Sequence, residues 1–283
     1  MKTGLVLEGG AMRGLFTAGI TDVFLENNIK FDGTVGVSAG AAFGCNFKSA
    51  QVGRALRYNK KYCNDKRYCS VKSLIFTGDM FGADFCYHTL PEKLDLFDND
   101  AFESNPMEFY VVATDIENGK AVYKKLDKAT GVGIEWIRAS ASMPLASRIV
   151  EIEGGKYLDG GISDSVPLEF FENLGYNRNV VILTQPADYV KKPNQLIPVI
   201  KKIYRKYPNL IKAMEQRHSN YNKTVEYIRQ KEQKGEIFVI RPDEKLPIDH
   251  ICHKPEVLQM VYDLGRNTAL AKLDEIKEFL KND

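Results

Sequence analysis

Long apolar runs are missing from this 283-residue chain. Nothing approaches the roughly 18 consecutive apolar residues that span a bilayer, so no membrane-crossing helix is expected. The N-terminus also lacks the apolar core and small-residue cleavage site of a secretory signal, and reads as a first strand. An excess of one charge is missing too. The 39 Lys and Arg against 37 Asp and Glu leave +2, which does not point to a nucleic-acid partner. Cysteine is sparse and odd in number: Cys45, Cys63, Cys69, Cys86 and Cys252 form no C-x-x-C pair. That usage excludes a disulfide framework and suits reduced thiols in the cytoplasm. Histidine occurs four times. Asp249, His250, Cys252 and His253 have the residue types of metal ligands at a spacing that matches no zinc pattern, so neither metal nor cofactor is expected.

What is present is the balance of a globular α/β enzyme, 44% hydrophobic and 27% charged. Gly4–Leu7 runs through glycines into a helical pattern ending at Glu26. Phe31–Val35 then runs through Gly36-Val37-Ser38-Ala39-Gly40 into a second, small-residue helix. Further continuous apolar strands are expected at Phe109–Ala113, Val180–Thr184 and Ile237–Ile240. Strands of this kind are covered on both faces, which predicts a three-layer α/β/α sandwich around a mostly parallel sheet. Between Lys61 and Pro106 the periodicity fades and aromatics crowd in, as in an insertion or lid over a site. Lys191–Lys234 carries a large basic excess at helical spacing, so a basic amphipathic helix is expected. It would be either a surface helix docked on the core or a contact for an anionic membrane. Pro255–Leu280 reads as one further amphipathic helix.

Three motifs carry the chemistry. Gly36-Val37-Ser38-Ala39-Gly40 is a G-x-S-x-G sequence at a strand-to-helix turn, where flanking glycines allow a sharp elbow that lifts the serine oxygen clear of the sheet. Glu8-Gly9-Gly10-Ala11-Met12-Arg13-Gly14 gathers backbone N–H groups beside a helix N-terminus, a way of holding a developing negative charge. A dinucleotide-binding turn is the weaker reading of that loop, because Ala11 breaks the glycine pattern and no acidic residue closes the second strand. Tyr157-Leu158-Asp159-Gly160-Gly161 puts a carboxylate between a short strand and two glycines, which alone could be a plain turn.

Taken together, and with the block Arg138-Ala139-Ser140-Ala141-Ser142-Met143-Pro144, these motifs resemble the patatin-like phospholipase family over about residues 2–171. The remainder, 172–283, is expected to complete the sheet and add basic helices. The resemblance implies that Ser38 is the nucleophile and Asp159 the acid of a Ser-Asp dyad. It places Gly9, Gly10, Ala11 and Arg13 on the oxyanion loop, with Gly14, Gly36, Gly40, Gly160 and Gly161 supporting the turns. It also implies hydrolysis of (phospho)lipid acyl esters through an acyl-serine, without histidine or metal. The family usually has glycine where this chain has Ala11.

Such a dyad needs a carboxylate basic enough to take the serine proton, so Asp159 is expected to be buried and hydrogen-bonded to Ser38. Three alternatives stand beside it: a triad using His218 or His250, acyl transfer on the same dyad, and a lipid-binding scaffold with a weakened site. The expected partners are a lipid ester and the inner face of a membrane, touched peripherally.

Overall fold

The fold is a computed structural model that describes residues 1–281, so the last two residues of the expected C-terminal part lie outside it. Among the described residues, eight strands form one sheet: β1 (Lys2–Leu7), β2 (Gly33–Val37), β3 (Glu108–Asp115), β4 (Ala121–Lys125), β5 (Val150–Ile152), β6 (Gly155–Asp159), β7 (Tyr176–Ile182) and β8 (Ile237–Ile240). Strands β3, β2, β1, β7 and β8 run parallel in that spatial order. Both β4 and β6 pair antiparallel with β3, and β5 pairs with β6.

Among the described residues, eleven α-helices accompany the sheet. The first seven are α1 (Gly14–Glu26), α2 (Ala39–Lys48), α3 (Arg54–Tyr62), α4 (Val71–Thr77), α5 (Asn99–Ser104), α6 (Val132–Ser140) and α7 (Leu168–Asn173). They are followed by α8 (Ile197–Ile203), α9 (Pro208–Gln233), α10 (Pro255–Ala271) and α11 (Leu273–Lys281). A wider, π-type helical stretch spans Phe85–Leu94 and contains Pro91, a residue that removes one backbone donor and disturbs regular α-helix pairing.

Alternation along β1 shows why the sandwich has three layers. Leu5 and Leu7 face one apolar cluster with α1, α2 and α10, whereas Val6 faces another with α7 and α9. Gly4 to Leu7 of β1 are therefore covered on both faces, as the continuous apolar run required. The observed α/β/α architecture and mostly parallel sheet agree with the sequence. Several boundaries differ, each for a local reason. The second strand starts at Gly33 rather than Phe31, because the Asp32 carboxylate accepts from the Thr3 N–H (2.7 Å) and holds the chain in a turn. The seventh ends at Ile182, since the Thr184 N–H turns to the Glu8 carboxylate (2.5 Å).

The basic stretch 191–234 is two helices. Pro208 opens α9, and Tyr207 before it is forced out of helical conformation (φ −123°, ψ 72°). Most of α9 is docked, with Leu210, Met214, Tyr221 and Ile228 buried on the sheet. The C-terminal pattern is likewise two helices, α10 and α11, with a tighter turn at Lys272, whose N–H bonds the Ala269 carbonyl (3.2 Å). The aromatic segment 61–106 holds short helices and anchors Tyr62, Tyr68, Phe85 and Leu90 in the main apolar cluster. No helix among the described residues is long and apolar enough to cross a membrane, and all five cysteines are unbridged.

Helix α10 lies against α1 at backbone distance. A Cβ on Gly265 would sit 2.0 Å from the Phe16 carbonyl oxygen. Backbone atoms cannot yield as a side chain can, so Gly265→Ala is expected to destabilise the fold by about 2–3 kcal/mol. The measurement is a urea titration, with a lower midpoint at unchanged slope.

Candidate active site

The register of β3 brings two of the motifs to one point. Val37, the last residue of β2, pairs with Val112, and Asp159, the last of β6, pairs with Ala113. Because β4 covers residues 110–114 along the opposite edge, β2 and β6 share one edge of β3 and meet there end to end. Ser38 and Asp159 follow from that meeting.

Ser38 has φ 55° and ψ −120°, a conformation that a residue with a side chain rarely adopts and that costs of order 1–3 kcal/mol. The elbow closes only because its glycines are bare: a Cβ on Gly36 would lie 2.4 Å from the Gly40 carbonyl oxygen, and one on Gly40 would lie 2.5 Å from that of Leu7. The Ser38 N–H donates to Ser140 Oγ (3.0 Å), and the Asp159 N–H donates to the Ser142 carbonyl (2.8 Å). The block 138–144 thus ties the two motifs together in space.

Asp159 is only 1% exposed. Its Oδ1 accepts from the Gly161 N–H (2.7 Å), at the start of a 3-10 turn Gly160–Ile162. Its Oδ2 is buried and has no hydrogen-bond partner. The expected burial is present, but a Ser38–Asp159 hydrogen bond of standard length is not formed. The serine hydroxyl is nonetheless close enough to favour the ionised carboxylate, and such contacts are commonly long before a substrate tightens them. Burial is the larger influence and pushes the Asp159 pKa up, while Arg217, Ser38, the Gly161 N–H and Lys191 pull it down.

Gly9 and Gly10 follow β1, Ala11–Arg13 form a single 3-10 turn, and Gly14 begins α1. Gly9 lies against Ser38, since a Cβ there would come within 2.9 Å of the serine Cβ. Among the described residues, no hydrogen bond takes up the N–H of Gly9, Gly10 or Ala11. The Arg13 N–H is committed to the Gly10 carbonyl (3.1 Å), so this residue offers its guanidinium instead, whose Nε is buried without a partner. Ala11 has φ 49°. The left-handed conformation that suits glycine is therefore required here, and alanine carries about 1 kcal/mol of strain for it.

Sequence reading missed the groups around these motifs. Glu8 is buried and accepts from the Tyr221 hydroxyl (2.7 Å) and from Thr184. Arg217, on α9, donates through Nε to the Gly161 carbonyl (2.5 Å), gripping the turn whose N–H holds Asp159. Half-buried Lys191 lies with its Nζ 4.2 Å from the Tyr221 ring centroid. Burial, with Arg217 next, pulls its pKa down to about 8. The basic excess of 191–234 was visible, but nothing in it singles out these two cations. The histidines fall elsewhere: none bonds Ser38 or Asp159. His250 is exposed at the cavity rim, 3.5 Å from an Arg13 nitrogen, and partial desolvation there with three nearby cations lowers its pKa. His218 lies on α9, in a separate surface groove.

Ser38 opens into a cavity of about 430 Å³. Its walls are mainly apolar and include Phe43, Tyr68, Met80, Leu90, Phe97 and Ile134. The aromatic segment 61–106 thus supplies much of the wall. Such a space suits a long apolar group brought to a polar reacting end.

The burial of Asp159 has a consequence for stability. A carboxyl whose pKa is raised by folding stabilises the fold fully below its unfolded pKa, and that contribution is lost as pH rises through the folded value. Asp159→Asn is therefore expected to melt above the wild type at pH 8 and to lose that advantage near pH 4. Thermal denaturation across that range is the check.

The chain is similar to several known proteins. Residues 207–281 match a family described as a domain of unknown function (DUF6363). The uncharacterized protein YjjU of Escherichia coli is 29% identical over 279 residues, covering 94% of this chain and 75% of that one. Lysophospholipase nte1 of Aspergillus niger is 28% identical over 185 residues, covering 62% of this chain and 11% of that protein. The chain thus spans only a small part of the lysophospholipases it matches. The solved structure of VipD from Legionella pneumophila aligns over 97% of this chain and 67% of that one, with TM-score 0.48 and 13% identity. Residues 5–171, more than half of the chain, match the patatin-like phospholipase family, and with the Ser38 elbow, the glycine loop and Asp159 in that span, the chain belongs to that family.

Proposed function

We propose that this protein hydrolyses acyl esters of (phospho)lipids through a Ser38–Asp159 dyad. One observation carries the reading: a buried carboxylate with an unpartnered oxygen stands beside a strained, cavity-facing serine. Membership in a phospholipase family and the lysophospholipase relatives support the substrate class.

The acyl chain occupies the apolar cavity, which brings its carbonyl carbon to Ser38 Oγ. As Oγ attacks, its proton passes to Asp159, whose raised pKa makes it a better base than an exposed aspartate. Negative charge develops on the carbonyl oxygen, and the free N–H groups of the Gly9–Ala11 loop are suited to receive it. Each such donor is worth about 3–4 kcal/mol elsewhere. When the ester C–O bond breaks, Asp159 returns the proton to the leaving alcohol and an acyl-serine remains. Water then adds to that carbonyl, giving a proton to Asp159, and the acid departs as Ser38 regains its hydrogen. No imidazole is needed, because one carboxylate serves both half-reactions. Arg217 and Lys191 favour the ionised form of that carboxylate against its burial.

Turnover of p-nitrophenyl esters and of phospholipid micelles tests the dyad. Ser38→Ala and Asp159→Asn are each expected to lower kcat by roughly 10³-fold or more with the fold intact by circular dichroism. Full activity in Asp159→Asn would refute it.

The pH profile follows from the same groups. The base must be ionised, so kcat/KM is expected to rise with pH along a limb lying above the usual aspartate value of about 4. Arg217→Gln removes the cation that most favours ionised Asp159. Its acid limb is therefore expected at higher pH than in the wild type.

A further inference from the structure

We infer that the protein rests on an anionic phospholipid surface through the face formed by α4 and α8. The inference takes its partner from the lipid-ester reading of the site, but its geometry stands apart from the dyad.

The two helices expose what a folded protein normally hides. On α4, Ile75 is 73% and Phe76 77% exposed, with Val71 one turn before Ile75. On α8, Ile200 points inward while Val199 and Ile203, one turn apart, are 44% and 58% exposed. Isolated exposed apolar residues need no explanation, but clusters on two helices do.

These helices flank one stretch of chain that lines the cavity. Met143, Pro144, Ala146 and Ser147 form part of the wall that also holds Ser38. On one side of that stretch, the Leu145 N–H donates to the hydroxyl of Tyr204, the residue that ends α8 (3.2 Å). On the other, the Met80 N–H donates to the Ala146 carbonyl (2.7 Å), and the Arg148 N–H donates to the Asp79 carboxylate (2.9 Å), just after α4. A surface engaging both helices would lie beside this part of the cavity wall.

Charge decides the nature of that surface. Between Asp188 and Glu215 the chain has no acidic residue. Lys202, Arg205 and Lys206 are exposed and, among the described residues, form no ion pair. Lys72 lies over the Phe76 ring, 5.8 Å from its centroid. Apolar side chains beside unneutralised lysines and arginines describe an interfacial helix at anionic lipid. A protein interface of this apolar character would be depleted in lysine. Within the basic stretch 191–234, where the sequence offered either docking on the core or a membrane contact, the long helix α9 has its apolar side on the sheet.

The test uses sedimentation with phosphatidylcholine vesicles, with and without phosphatidylglycerol, alongside hydrolysis of the vesicle lipid and of a soluble p-nitrophenyl ester. The wild type is expected to favour the anionic vesicles and to detach as salt is raised. The double variant Ile75→Ser/Phe76→Ser is expected to lose about tenfold in vesicle binding and in vesicle hydrolysis while keeping soluble-ester turnover. Lys202→Glu/Arg205→Glu is expected to lose the preference for phosphatidylglycerol. Vesicle binding by the double variant equal to that of the wild type overturns the proposal, as does a wild type that never sediments. A wild-type dimer that the double variant splits into monomers overturns it in favour of self-association. Vesicle binding that depends on the patch, with no ester turned over, supports this surface while the hydrolase reading fails.

Discussion

The structure depends on the way two strands share one edge of β3. Parallel β2 occupies that edge as far as Val112, and antiparallel β6 occupies it from Ala113 onward. Each approaches the same point from the opposite direction, so Ser38 leaves the end of one ladder where Asp159 ends the other. A shift of either strand by one residue would turn every side chain to the other face and separate the pair. The backbone packing allows little slack, because a Cβ on Gly160 would lie 2.1 Å from the Val112 carbonyl oxygen. The block 138–144 then fixes both residues from the side, through Ser140 Oγ and the Ser142 carbonyl.

On this frame the site holds groups in states they would not choose alone. Ser38 and Ala11 both sit at positive φ, and Asp159 is buried with one oxygen unsatisfied. Local strain and a desolvated charge persist only where the surroundings over-determine them. Here the surroundings are a closed sheet edge and the belt of Arg217, Lys191 and Arg13. Burial drives the pKa of that carboxylate upward and Arg217 and Lys191 draw it down, so its protonation is set by a balance of opposed effects.

The C-terminal part belongs to this balance. Strand β7 lies between β1 and β8 within the parallel run. Helix α9 supplies Arg217 to the Gly161 turn and Tyr221 to Glu8. The match to a domain of unknown function over residues 207–281 therefore covers chain that builds the neighbourhood of Asp159. The aromatic segment 61–106 plays the matching part on the other side, where it walls the cavity rather than lying loosely above it.

The amino-acid sequence determined the fold class, the strand–turn–helix units and the three motifs, because these follow from local rules. Continuous apolar strands demand cover on both faces, and G-x-S-x-G admits a sharp turn only where no Cβ obstructs it. Helix breaks were less legible where the apolar spacing continued through them, as at Lys272. Tertiary structure alone decided which residues surround Asp159. Arg217 and Lys191 are two among many cations in a basic stretch, and His250 lies far from Ser38 in the chain. Their influence falls off with distance in space and is amplified by burial, and neither distance nor burial is written in the order of residues along the chain.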